Sequence, residues 1–171
     1  MMRGAVGLLL CSTIAACETS HICTLVGCGD GVSLEVRPAQ GPFEDGGYEL
    51  VIVADGQTHA CSFVLPDDLP VQGSVHTIEC TPPMSASLQA ELICTEARGA
   101  SSVSQTCAPI AGEFVLRALV QTTAPELELR IRRDDVPLLA QTLMPSYEIF
   151  QPNGPDCEPT CRQAGIEVTL P

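Results

Sequence analysis

The strictest constraint on this chain's fold is an alternation of apolar and polar residues with a period of two. It is clearest at Leu127, Leu129 and Ile131, set against Glu128, Arg130 and Arg132. Side chains on a strand point to opposite faces in turn, so this pattern gives one dry face and one wet face; on a helix it would scatter the apolar groups all round. The same parity runs through Val32, Leu34 and Val36, through Tyr48, Leu50, Ile52 and Ala54, and through Phe114, Leu116, Ala118 and Val120. Cys61, Phe63 and Leu65 continue it, and Ile78 and Cys80 mark a further strand ended by Pro82-Pro83. Segment 86–97 holds good helix formers, but Leu88, Ala90, Leu92 and Cys94 share one parity opposite Gln89 and Glu91, which favours a strand. Extended segments are also expected from Val136 to Met144 and from Ile166 to Leu170.

Turn residues separate these segments. Asp55-Gly56 between two alternating runs is a hairpin signal, and Asp134-Asp135 turns the chain before Val136. Eight or so antiparallel strands with short connections imply an all-β domain, a sandwich or a barrel, and cysteines on apolar strand faces favour the sandwich. The run from Gly47 to Gly56 resembles a strand common in immunoglobulin-like and transthyretin-like domains, which implies a sandwich of that kind and says little about activity.

The first residues follow a different logic. Met1-Met2-Arg3 precedes a weakly polar or apolar run from Gly4 to Ala16, with Val6-Gly7-Leu8-Leu9-Leu10 at its centre. This is the shape of a secretory signal peptide. A membrane-spanning helix needs about 20 apolar residues, and polar residues from Glu18 to His21 close the run too early. Ile14-Ala15-Ala16-Cys17 resembles the bacterial lipobox, which implies cleavage before Cys17 and a lipid on its thiol. Two or more acyl chains give stable anchoring where one does not. By the same analogy Glu18 favours the outer membrane. The expected organisation is a signal peptide over 1–16, a lipid-anchored lead over 17–30 and a β-sandwich over 31–171.

Cys11 falls in the signal and Cys17 is assigned to lipid, which leaves Cys23, Cys28, Cys61, Cys80, Cys94, Cys107, Cys157 and Cys161. An even set in an exported chain implies disulfides. Cys61 and Cys80 lie on successive apolar faces and are expected to bridge. Cys94 and Cys107 flank a glycine- and serine-rich stretch, 99–106, that a bridge would close. The pairs 23/28 and 157/161 are expected to join one from each end, tying the N-terminal lead to the C-terminal corner. Two alternatives stand beside this: separate local bridges 23–28 and 157–161, or four thiolates holding zinc. The run Pro145 to Cys161, with Tyr147, an Asn153-Gly154-Pro155 turn and two close cysteines, resembles the closing segment of a group of cysteine-rich bacterial lipoproteins without an assigned activity. Read from its residues alone, it is a proline-stiffened surface loop.

Catalytic signatures are missing. The chain has no Gly-x-Ser-x-Gly, no His-Glu-x-x-His and no phosphate-binding glycine loop, and His21, His59 and His76 are scattered. The acid pairs Glu44-Asp45, Asp67-Asp68 and Asp134-Asp135 sit beside turn residues, and neighbours on a strand face opposite ways. Asp30 lies between two glycines without the alternating acids of a calcium loop. A formal net charge of −13 repels phosphate backbones, so no nucleic-acid partner is expected. The expectation is a non-catalytic envelope protein without cofactor, held to a membrane through Cys17 and working by protein–protein contact or envelope structure. The alternatives are a small-ligand or ion-binding lipoprotein, or an enzyme of unfamiliar type.

Overall fold

The computed structural model describes Cys23 and residues 26–65, 75–98 and 103–171. The expected signal peptide, residues 1–16, and the expected lipid-bearing Cys17 lie outside them. Ten strands follow one another in the chain: β1 (Gly31–Pro38), β2 (Gly46–Ala54), β3 (Gln57–Leu65), β4 (His76–Ile78), β5 (Met84–Arg98), β6 (Val103–Val120), β7 (Leu127–Arg133), β8 (Val136–Leu143), β9 (Glu148–Phe150) and β10 (Cys161–Leu170). No helix occurs among the described residues. The strands form two sheets, a six-stranded one in the order β4-β5-β6-β1-β10-β9 and a four-stranded one in the order β3-β2-β7-β8. The domain is an all-β sandwich.

The alternation explains why the sheets pack. On β1 the residues Val32, Leu34 and Val36 are fully buried, and on β7 so are Leu127 and Leu129. Leu50 and Ile52 of β2 and Leu116 and Val120 of β6 complete the centre of the core. Each charged residue between them faces water, often beside an opposite charge. Arg117 reaches Glu35 at 2.9 Å on one sheet, and Arg130 reaches Glu128 at 2.7 Å on the other.

Both expected hairpin turns form. Asp55 and Gly56 join β2 to β3 with φ of 50° and 74°, and Asp134 and Asp135 join β7 to β8 with φ of 48° and 65°. Positive φ at both central positions matches the right-handed twist of the flanking strands. The second turn is latched to β2: the Gly47 N–H donates to the Asp134 carboxylate at 2.8 Å, and the Asp134 N–H donates to the Gly47 carbonyl at 2.8 Å. Gly46, at φ 143°, lies so close to that carboxylate that a Cβ there would stand 2.6 Å from it.

Three features differ from the alternation-based reading. One pairing is parallel, β1 with β10 from Gly31↔Gln163 to Pro38↔Leu170. A parallel pair needs a long crossover, and here the rest of the domain is that crossover. The closing strand begins at Cys161 rather than Ile166, because Arg162 and Gln163 conceal its parity. Within 145–161, read as loop, Glu148–Phe150 forms β9 on the edge of the larger sheet.

Candidate functional site

Among the described residues there are four disulfides: Cys23–Cys157, Cys28–Cys161, Cys61–Cys80 and Cys94–Cys107. The first two bring the N-terminal lead onto the C-terminal corner. The polar contacts around them explain the register. The Asn153 side chain accepts from the Val26 N–H and donates to the Val26 carbonyl, both at 3.0 Å, so a single amide stands in for a neighbouring strand. Asp30 accepts from the Arg162 N–H at 2.7 Å, and Gln163 donates to the Gly29 carbonyl at 3.1 Å. Sequence reading missed the role of Asn153, since Asn-Gly reads first as a turn. Asp30, considered there for calcium, is a strand-end acceptor.

Cys61 and Cys80 face each other as an isolated antiparallel bridge, Cα to Cα 4.1 Å, beside a hydrogen bond from the Thr81 N–H to the Ala60 carbonyl at 2.8 Å. This bridge occupies the free side of β3 at Ala60 and Cys61. Cys94 and Cys107 are directly opposed on β5 and β6, Cα to Cα 4.0 Å. Their setting corrects one expectation. Residues 103–106 are not loop but the first turnless stretch of β6, so the bridge crosses a long hairpin rather than closing a loop.

That hairpin is the most distinctive surface of the molecule. β6 pairs with β1 only from Leu116 to Val120, and β4 pairs with β5 only from Ala86 to Leu88. Beyond those points the two strands run on as an arm to Arg98 and Val103, with a register shift between Ala90 and Leu92. β1 enters the sheet beside the tied lead and ends at Pro38, while β6 runs antiparallel to it. The arm therefore leaves the sandwich at the end opposite the tied corner. An isolated two-stranded hairpin is marginal in water, and the Cys94–Cys107 bridge replaces the missing lateral strands. Leu92, Ile93 and Val103 stand on the arm at 55%, 59% and 65% exposure.

Among the described residues, groups suited to catalysis are not gathered. His59 is buried on the core face with Cys61, its Nδ1 without a hydrogen-bond partner among the described residues. His76 lines a separate shallow groove with Phe63 and Glu79. Among the described residues no three His, Cys, Asp or Glu stand together as a metal site. A concavity of about 740 Å³ lies beside the tied lead, between Ser33, Leu119, Phe150 and Gln163, but the Asp30 carboxylate on its wall already accepts from Arg162. The perturbed phenols are structural. Burial pushes Tyr48 upward, and its hydroxyl donates to the Glu44 carbonyl at 2.8 Å. Burial likewise pushes Tyr147 upward, and it donates to the Ala124 carbonyl at 2.8 Å, pinning the crossing from β8 to β9. Compared with known proteins, the chain matches no family model, no curated protein and no solved structure.

Proposed function

We propose that this chain is a lipid-anchored envelope protein whose sandwich holds out the β5–β6 arm as a contact device for another envelope protein. The anchor is the lipid expected on Cys17 after cleavage behind Ala16, at the outer membrane, and the work is non-catalytic. The observation that carries the reading is the arm: a hairpin without lateral strands, locked by a disulfide and bearing exposed Leu92, Ile93 and Val103. Single exposed apolar groups are ordinary, but an arm held off the body with Leu92 and Ile93 on its two faces and Val103 near its tip suits a protein interface. Rigidity supports it further, because a locked hairpin loses little conformational freedom on docking.

The test uses a photo-crosslinker placed at Ile93 in the full chain, in intact envelopes. A discrete adduct should form there, should not form from a crosslinker at the exposed Val64 on β3, and should vanish with Leu92→Glu. Equal labelling at both positions would discard the arm as the contact site. The anchor has its own test: Cys17→Ser should abolish fatty-acid incorporation and leave the precursor uncut.

A further inference from the structure

A sheet edge carries unpaired N–H and C=O groups and will accept another strand unless something prevents it. This sandwich guards three of its four edges. β4 and β9 are three residues long, and the middle of β3 is occupied at Ala60 and Cys61 by the Cys61–Cys80 bridge and the Thr81 hydrogen bond. β8 is different. It is eight residues long, and among the described elements it packs laterally only against β7. Pro137 and the register shift opposite Arg132 guard its first residues alone. From Leu138 to Met144 there is neither proline nor charge, and the uncharged run extends over 136–147 in a chain of net −13.

We propose that β8 pairs antiparallel with β8 of a second copy of this chain, on a two-fold axis at Gln141, joining two four-stranded sheets into one of eight. The sequence around Gln141 is self-complementary. In a two-fold antiparallel pair one residue must face its own copy, and residues equally spaced on either side then face each other. Centred on Gln141, Leu139 meets Leu143 and Leu143 meets Leu139. Ala140 meets Thr142, and Leu138 meets Met144. Leu139 and Leu143 sit in register with the buried Ile131 and Leu127 of β7 yet remain half-exposed, because no described strand lies beyond them. A second β8 would extend the core over both. Charge selects the same partner. β8 offers no acid to a basic peptide, and a second acidic copy meets little repulsion along an edge strand without a charged residue. The contact is small beside standard interfaces of roughly 1,600 Å², so the dimer is weak.

Gln141→Cys in the full chain tests the register. Facing residues across an antiparallel pair have Cα atoms about 4.5–5.5 Å apart, within the span of a disulfide. Gln141→Cys should therefore give a covalent dimer on a non-reducing gel. Thr142→Cys alone should give little, and should recover a dimer when mixed with Ala140→Cys. Val64→Cys, on the β3 edge whose middle the Cys61–Cys80 bridge occupies, should stay monomeric. No dimer from Gln141→Cys, or as much from Val64→Cys, overturns the proposal. Sedimentation decides independently of thiol chemistry: the native chain should dimerise with concentration, and Gln141→Lys should abolish this with an unchanged circular dichroism spectrum. A native chain still monomeric at about 1 mM, the weakest association worth the name, also overturns it.

Discussion

The two terminal disulfides make a prediction that is sharply non-additive. Cys23–Cys157 and Cys28–Cys161 span 134 and 133 residues, yet they lie side by side. Once either exists, the other closes only a small ring, residues 23–28 plus 157–161. The chain-entropy relation gives about 3 kcal/mol for a ring of roughly 11 residues and about 5 kcal/mol for a loop of roughly 130. Removing one tie, as Cys23→Ala with Cys157→Ala, should therefore cost about 3 kcal/mol, because the surviving tie still closes the long loop. Removing both should cost about 8 kcal/mol, more than twice the single loss and comparable to the whole stability of an ordinary domain. Equilibrium denaturant unfolding followed by circular dichroism, without reductant, reads both values. Either single variant should keep a cooperative transition, whereas the quadruple variant should be unfolded or nearly so. A single loss near 5 kcal/mol, or a quadruple variant still folded with a loss of about 6 kcal/mol or less, would refute the nested-loop reasoning.

Other outcomes follow from single positions. Leu129→Ala, at a fully buried site, should cost about 2–5 kcal/mol in the same assay. Gly46→Ala should cost more than about 1 kcal/mol, since φ 143° is unfavourable for alanine and its Cβ would strike the Asp134 carboxylate. Because burial raises Tyr48, the fold holds its phenol neutral: that contribution is complete below about pH 10, where the unfolded phenol titrates, and is lost as pH rises through the folded value. Tyr48→Phe should flatten the alkaline fall in thermal midpoint.

The fold was legible wherever one face of a strand is dry and the other wet. β7 shows this best, with Leu127, Leu129 and Ile131 inward and three charged residues outward. Legibility failed where that contrast fades. β9 is exposed along its whole length, so Glu148-Ile149-Phe150 carries no alternation to read. The start of β10 is masked by Arg162 and Gln163, and Ser104, Gln105 and Thr106 of β6 are polar on both faces because no described element packs beside the arm. The surfaces of interest are the least legible part, for the same reason. An arm and an open edge are defined by what does not lie next to them, and one chain's sequence records its neighbours only through buried side chains. Asn153 is a case in between, its residue type fitting a turn while its amide serves a strand-like contact 127 residues away.

The parallel pair β1 and β10 has a mechanical consequence. Their first residues lie together at the corner where the two terminal bridges sit. Tension arriving along the N-terminal lead meets covalent bonds into both strands before it reaches any hydrogen bond of the sheet. The strands are then hauled in the same direction as a unit, with no load prising one from the other. A lone N-terminal strand would peel off residue by residue under the same pull. This domain can be tugged, swung and dragged by its lead, and it will not unravel from that end until a sulfur–sulfur bond is cut.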